Sequence, residues 1–269
     1  EETVSEIGGI DWPARLAELL AYGARFDSDL LQAIVGATPD DVRIVASTWR
    51  LSLPADYEAF LLAMGRTPLG SLGSFMEHLI FGVDAINAFY LEPPVPVPGD
   101  AVYLWTFQED SPFYHFLPVT EPETAACPVV ELNWRYDPDT DRYVEADRRS
   151  LRVADSLLQY LWEEAFRKLR RPALPLSVTL REREHDWKPD EERLGARLAH
   201  FHDIARHLGF APLPFSRPRP SLYDRDDAAL SLYSDMFAED KLVIDAGSER
   251  ELVRLREVMA DSLGLYWVR

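Results

Sequence analysis

Apolar positions in this chain recur at helical spacing up to Gly65, alternate between Ala101 and Glu145, and return to the helical period between Asp155 and Arg170. Asp11 is placed to cap a helix over Trp12–Tyr22, with Pro13 tolerated in the first turn and Gly23 as the stop. A second short segment runs from Ser28 to Gly36. Thr38 caps a third, with Pro39 at the first helical position and Asp40 and Asp41 set against the positive end of the helix dipole; it extends to about Arg50. A fourth covers Pro54–Met64 and stops at Gly65. Pro93–Gly99 is proline-rich and extended.

Ala101–Phe107, Phe113–Val119, Pro128–Tyr136 and Arg142–Glu145 read as strands from their β-branched and aromatic content. Asp137–Asp141 supplies turn chemistry between the last two, making a hairpin. Asp155 is placed to cap a helix reaching Arg170, in which Leu158, Leu161, Trp162, Ala165 and Leu169 form one apolar stripe. Composition changes at Arg171-Pro172, and a boundary is expected near 171. Leu174, Leu176, Val178 and Leu180 then alternate as a strand, followed by a helix over Pro189–Leu208 closed by Gly209. Strands near Ala228–Tyr233 and Lys241–Asp245, a helix from Ser248 to Leu263 and a strand at Leu265–Val268 complete a βαββαβ order, that of a ferredoxin-like sandwich. The expected organisation is an N-terminal helical extension over 1–37, an α+β domain with a mainly antiparallel sheet over 38–170, and a smaller α+β domain over 171–269.

Charge changes this picture from architecture to function. The net charge of −18 is concentrated early: residues 1–170 carry 28 acids against 13 bases, and residues 171–269 carry 18 against 15. From Thr67 to Trp134 there is no lysine or arginine, yet the stretch holds nine carboxylates and eleven aromatic rings. A surface of one sign repels itself, so leaving 68 residues without a cation has two readings, solubility or a face kept negative for a basic macromolecule. The same sign repels nucleic-acid phosphates and anionic membranes, which argues against direct binding to either. Cys127 is alone and implies no disulfide framework. No apolar run approaches a transmembrane span, and Glu-Glu-Thr-Val-Ser-Glu is unlike a signal peptide's basic start, so a cytoplasmic location is expected.

The motifs that suggest catalysis or metal binding fare poorly on their chemistry. Asp137-Pro138-Asp139-Thr140-Asp141 has the spacing that opens a calcium loop, but Arg142 and Arg148 stand where glycine and glutamate are needed. His200, Asp203 and His207 share a helix face opposite Leu194, Leu198, Phe201, Ile204 and Leu208, yet two turns separate the histidines, about 10 Å. A solvated polar face accounts for them. Gly65, Gly70 and Gly73 lack the Lys-Ser/Thr of a phosphate loop. No cofactor, no metal and no catalytic centre is expected. The Glu109–Pro112 turn, between Tyr103, Trp105, Phe107 and Phe113, Tyr114, combines aromatic rings with carboxylates as an interface would.

Taken together, Thr38-Pro39-Asp40-Asp41 opening a helix, Leu53-Pro54-Ala55-Asp56-Tyr57-Glu58-Ala59-Phe60-Leu61-Leu62 and then Gly65 resemble the SUKH superfamily, which includes yeast cell-wall-synthesis regulators and many bacterial immunity proteins. Asp100–Leu104, Phe113–Leu117 and Pro128–Val130 are similar to the family's central strands, and Ala154–Leu161 to its closing helix. The resemblance covers about residues 38–166. Met64-Gly65 replaces the common Asn-Gly, and Leu157 stands where Phe is usual. It implies an α+β domain without a catalytic centre that binds and neutralises a protein toxin, often a nuclease and therefore basic around its active site. Glu109, Asp110, Asp137, Asp139 and Asp141 are the expected partner-binding carboxylates. The alternative that the resemblance carries is a regulatory scaffold recruiting several proteins.

Overall fold

The computed structural model describes residues 11–67, 82–93, 95, 101–106, 113–118, 128–140, 142–145, 151–182, 191–214, 220–234 and 240–267. It is a mixed α+β structure with two antiparallel sheets. The chain forms two compact units that divide between Leu161 and Trp162, inside a helix that the sequence assigns wholly to the first domain.

The first unit opens with α1 (Trp12–Gly23), α2 (Leu30–Ala33), α3 (Pro39–Trp49) and α4 (Ala55–Met64). The caps are those expected: Asp11 accepts from the Ala14 N–H, and Thr38 and Asp41 close a reciprocal capping box. α2 is much shorter than the Ser28–Gly36 segment expected. Its chain extends after Ala33 because Val35 bonds through its backbone to Thr67 Oγ1 and to the Arg66 N–H. Gly36 lies so close to α4 that a Cβ there would sit 2.0 Å from the Leu62 carbonyl oxygen. A fifth helix, α5 (Val83–Leu91), has no counterpart in the sequence reading, although Val83, Ile86 and Phe89 are spaced three apart and buried. Gly82 starts it at φ +97°, where a side chain would also meet the Gly65 carbonyl oxygen at 2.6 Å.

β1 (Ala101–Thr106), β2 (Phe113–Pro118) and β3 (Val129–Asp137) pair in order. β4 (Arg142–Glu145) takes the last part of β3, completing the expected hairpin, and β5 (Leu151–Ala154) pairs with its first part. β5 escapes the sequence because four residues next to a helix cap carry no period of their own. The cap itself is corrected: Ser156 Oγ, not Asp155, accepts from the Gln159 N–H at 3.1 Å, while Asp155 pairs with Arg152 at 2.8 Å. The helix behind it is also not one α-helix to Arg170. α6 (Leu157–Ala165) passes into a π turn over Phe166–Arg170 and a 3-10 turn over Arg171–Ala173.

The second unit is built on β6 (Leu176–Glu182), α7 (Glu191–His207), β7 (Ala211–Pro212), β8 (Ser221–Arg225), β9 (Ala228–Ser234), β10 (Asp240–Ala246), α8 (Glu249–Leu263) and β11 (Leu265–Trp267). The sheet order β11-β6-β10-β9 is the split-βαβ arrangement, extended at one edge by β8 and β7, two strands with no counterpart in the sequence reading. Cross-strand register puts Leu180, Leu242 and Leu232 in one row and Val178, Ile244, Leu230 and Tyr223 in the next. Phe201 and Ala205 of α7 and Leu255, Met259 and Leu263 of α8 bury themselves on that face.

Asp224 and Asp245 point to the opposite face, and there two arginines meet them. Arg170 Nε donates to Asp224 at 2.6 Å with both side chains under a tenth exposed, and its Nη2 donates to the carbonyls of Arg225 and Asp226. Arg171 Nε donates to Asp245 at 2.7 Å. Removing one member of such a buried pair strands the other charge. Arg170→Met is therefore expected to destabilise the protein by about 3–5 kcal/mol in urea denaturation, and Arg170→Met/Asp224→Leu to recover more than half of that loss.

Candidate functional site

Of the five carboxylates expected to bind a partner, the structure brings Asp137 and Asp139 into one turn. Glu109, Asp110 and Asp141 lie outside the described residues, as do Cys127, Gly70 and Gly73. Asp137 ends β3 and spends its oxygens on the turn itself: Oδ1 accepts the Asp139 N–H and Oδ2 the Thr140 hydroxyl, each at 3.0 Å. This is a side chain mimicking a backbone turn. Asp139 is exposed at the tip beside Pro138 and Thr140. The two residues thus differ in what they offer: Asp137 shapes the hairpin, and Asp139 carries charge to solvent.

The helical part of the first unit is organised by Arg66. Its guanidinium donates to Asp41 at 2.8 Å and to Asp84 at 2.8 Å, tying the start of α3 and the start of α5 to the chain just past α4. The Arg66 guanidinium, with the Thr38 backbone N–H, holds the Asp41 carboxyl well below the usual carboxylate range. Nearby, the Trp49 indole N–H donates to Asn87 Oδ1 at 2.8 Å and its ring stacks on Tyr90, centroids 5.9 Å apart at 26°. Sequence reasoning missed this cluster because α5 was missed.

In the second unit the dominant polar centre is Arg225. Its guanidinium donates to Asp227 at 2.6 Å, to Glu251 and to the Leu208 carbonyl at 2.7 Å, and lies 4.5 Å from the centroid of the Phe210 ring. One side chain thereby joins the β8–β9 turn to the end of α7 and the start of α8. A cleft of about 450 Å³ opens here, lined by Arg225, Asp227, Ser248, Arg250, Glu251 and Arg254. Arg254 also donates to Glu251 at 2.6 Å, and Arg254 with Arg225 holds the Glu251 carboxyl down to about 2. This cleft is occupied by mutual ion pairing, which fits a structural clamp.

His200, Asp203 and His207 are exposed on α7. Asp203 pairs with Arg206 at 3.5 Å, and His207 Nδ1 lies 2.7 Å from the Asp203 carbonyl. No group of three or more metal-ligating side chains gathers among the described residues. Among the histidines of α7, His202 is held by another side chain: its Nδ1 lies 2.7 Å from the hydroxyl of buried Tyr223. Burial, then the Arg206 charge, pushes His202 down, while burial pushes Tyr223 up. Both shifts keep the pair neutral, as a lock between α7 and the sheet.

Glu251 generates a pH prediction. In the unfolded chain it titrates near its ordinary 4.5, in the fold near about 2. The stability it contributes is complete above the higher value and is lost as pH falls through the lower. Between about pH 7 and pH 3 the urea midpoint of the wild type should fall further than that of Glu251→Gln, which has no such proton to bind. Equal falls would assign acid sensitivity to other carboxylates.

No helix among the described residues is long and apolar enough to cross a membrane. Compared with protein-family models and with curated proteins, the chain matches none.

Proposed function

We propose that this chain is a cytoplasmic, non-catalytic binding protein of the SUKH type, which neutralises a basic protein toxin through the acidic unit that ends at Leu161. The observation that carries this reading is the charge division. Residues 1–161 hold 26 acids against 10 bases, whereas residues 162–269 hold 20 against 18. The net acidity belongs almost wholly to one unit rather than to the whole chain.

Other observations support the reading. The helix opened by Thr38 and Pro39, the helix from Ala55, the antiparallel strands and the helix from Leu157 follow one another in the order on which the resemblance rests. In the second unit Arg170, Arg171 and Arg225 are engaged internally by Asp224, Asp245, Asp227 and Glu251. A toxin that acts on nucleic acid needs a cationic cleft to hold phosphates, and carboxylates presented at that cleft compete with them directly. Asp139 at the β3–β4 tip, with Glu109, Asp110 and Asp141, forms the proposed acidic contact set. Complementary charge of this kind accelerates association and makes it salt-dependent.

The test is capture of partners on the tagged full chain from its own cells, with elution followed against salt. One stoichiometric basic protein released by salt is the expected result. Several substoichiometric partners, or none, would contradict the reading and favour a scaffold. With the captured partner purified, Glu109→Gln/Asp110→Asn/Asp139→Asn should weaken binding and flatten its salt dependence. Unchanged affinity and slope would remove these residues from the contact.

A further inference from the structure

Two of the polar contacts that tie the C-terminal half of α7 to the sheet differ in whether they titrate. At the helix end the Leu208 carbonyl accepts from Arg225 Nη1 at 2.7 Å, and a guanidinium keeps its charge throughout the working pH range. Earlier in α7, His202 Nδ1 lies 2.7 Å from the Tyr223 hydroxyl of β8, with ring centroids 5.7 Å apart. Phe201 sets its ring edge-on to Tyr223, centroids 5.6 Å apart at 86°. Tyr223 is buried and His202 half-buried, so this contact sits at the boundary between core and water.

The direction of the hydrogen bond decides what a proton would do to it. Among the described residues no other acceptor meets the Tyr223 hydroxyl, so its hydrogen is satisfied when neutral Nδ1 accepts it. Protonating His202 makes Nδ1 a donor, reverses the bond and strands that hydrogen in a buried site. It also sets a second positive charge near Arg206, whose charge bears on both rings. Asp203 acts the other way, but it is exposed and paired with Arg206 at 3.5 Å. Burial first, then Arg206, hold His202 below its ordinary 6.5 against that carboxylate. The strand neighbours of Tyr223 are Leu230 on β9 and Pro212 on β7, and α8 contributes Leu252, Leu255 and Met259 to the shared core. None of these carries a charge that would offset a proton on His202.

We infer that α7 is an acid-released element: one proton taken up by His202 frees the helix from β8 and opens this side of the second unit. Release uncovers Phe201 and Ala205, which are fully buried while the helix is docked. In the open chain His202 titrates near 6.5, in the docked helix lower. The stabilisation from the neutral contact is therefore complete above pH 6.5 and is lost as pH falls from there through the docked value. The inference concerns the second unit alone and does not depend on the toxin-binding reading.

The experiment follows amide hydrogen exchange of the full chain by NMR from about pH 7 to about pH 5, with the His202 ring titrated in the same samples. This window lies above 4.5, the ordinary value of Glu251. After correction for intrinsic exchange chemistry, protection over 198–207 should fall below pH 6.5 by up to about tenfold per pH unit, because opening takes up one proton. Protection over 252–263 in α8 should stay level, and the His202 ring should titrate below 6.5. His202→Asn keeps an acceptor where Nδ1 stood and cannot be charged, so its α7 protection should be flat with pH, whatever its level at pH 7. His200→Asn and His207→Asn, at exposed positions of the same helix, should retain the wild-type slope. Level α7 protection in the wild type, a His202 ring titrating at or above 6.5, or an unchanged slope in His202→Asn would each overturn the inference. So would an equal fall over α8, since the proton would then act on the whole unit rather than on α7.

Discussion

The first unit is shaped by a constraint of charge: a 68-residue stretch of its sequence contains no cation, so no carboxylate there can be neutralised from within the stretch. Arg66, the last cation before it, is used at both sides of that limit. It reaches back to Asp41 in the capping box of α3 and forward to Asp84 at the start of α5. Like charges that cannot pair must be separated in water, which costs compactness and stability. In α5 the apolar residues Val83, Ile86 and Phe89 face inward, Asp84 is paired with Arg66, and Glu92 just past the helix is left to solvent.

The second unit handles charge in the opposite way. Its sheet buries a continuous apolar face under α7 and α8, and on the other face Asp224 and Asp245 are desolvated against Arg170 and Arg171. The π turn over Phe166–Arg170 matters here, because the Arg171 N–H bonds back to the Phe166 carbonyl rather than four residues back. Two successive arginines thereby meet acids on different strands. Arg225 performs a similar role at the sheet's end. Arg170, Arg171 and Arg225 are structural cations in this unit, whose sequence carries 20 acids against 18 bases.

Most elements were legible because their signals are local. Thr38-Pro39-Asp40-Asp41 contains its own cap, Asp137–Thr140 its own turn, and Leu176–Leu180 its own alternation. The misses share a physical cause, dependence on a distant partner. β5 and β7 exist through pairing with β3 and β8, and α5 begins where Gly82 meets the Gly65 backbone. α2 is cut short by bonds from Val35 to Thr67 and Arg66. The same holds for sites. A run of carboxylates is visible in sequence, but that Asp137 is consumed by its own turn is a matter of geometry. The Trp49–Tyr90 stack joins two helices, and His202 rather than the more conspicuous His200 and His207 finds the buried hydroxyl of Tyr223. Sequence spacing places a side chain on a face; it does not say what that face meets.

Neutralisation by binding, as proposed, can be measured without knowing in advance which residues touch. Cells that make the captured basic partner would be grown with and without the full chain, and the purified partner's activity on nucleic acid titrated with the chain. Growth should be restored, and activity should vanish at one chain per partner. A partner that stays toxic and active when saturated with the chain would contradict neutralisation by binding.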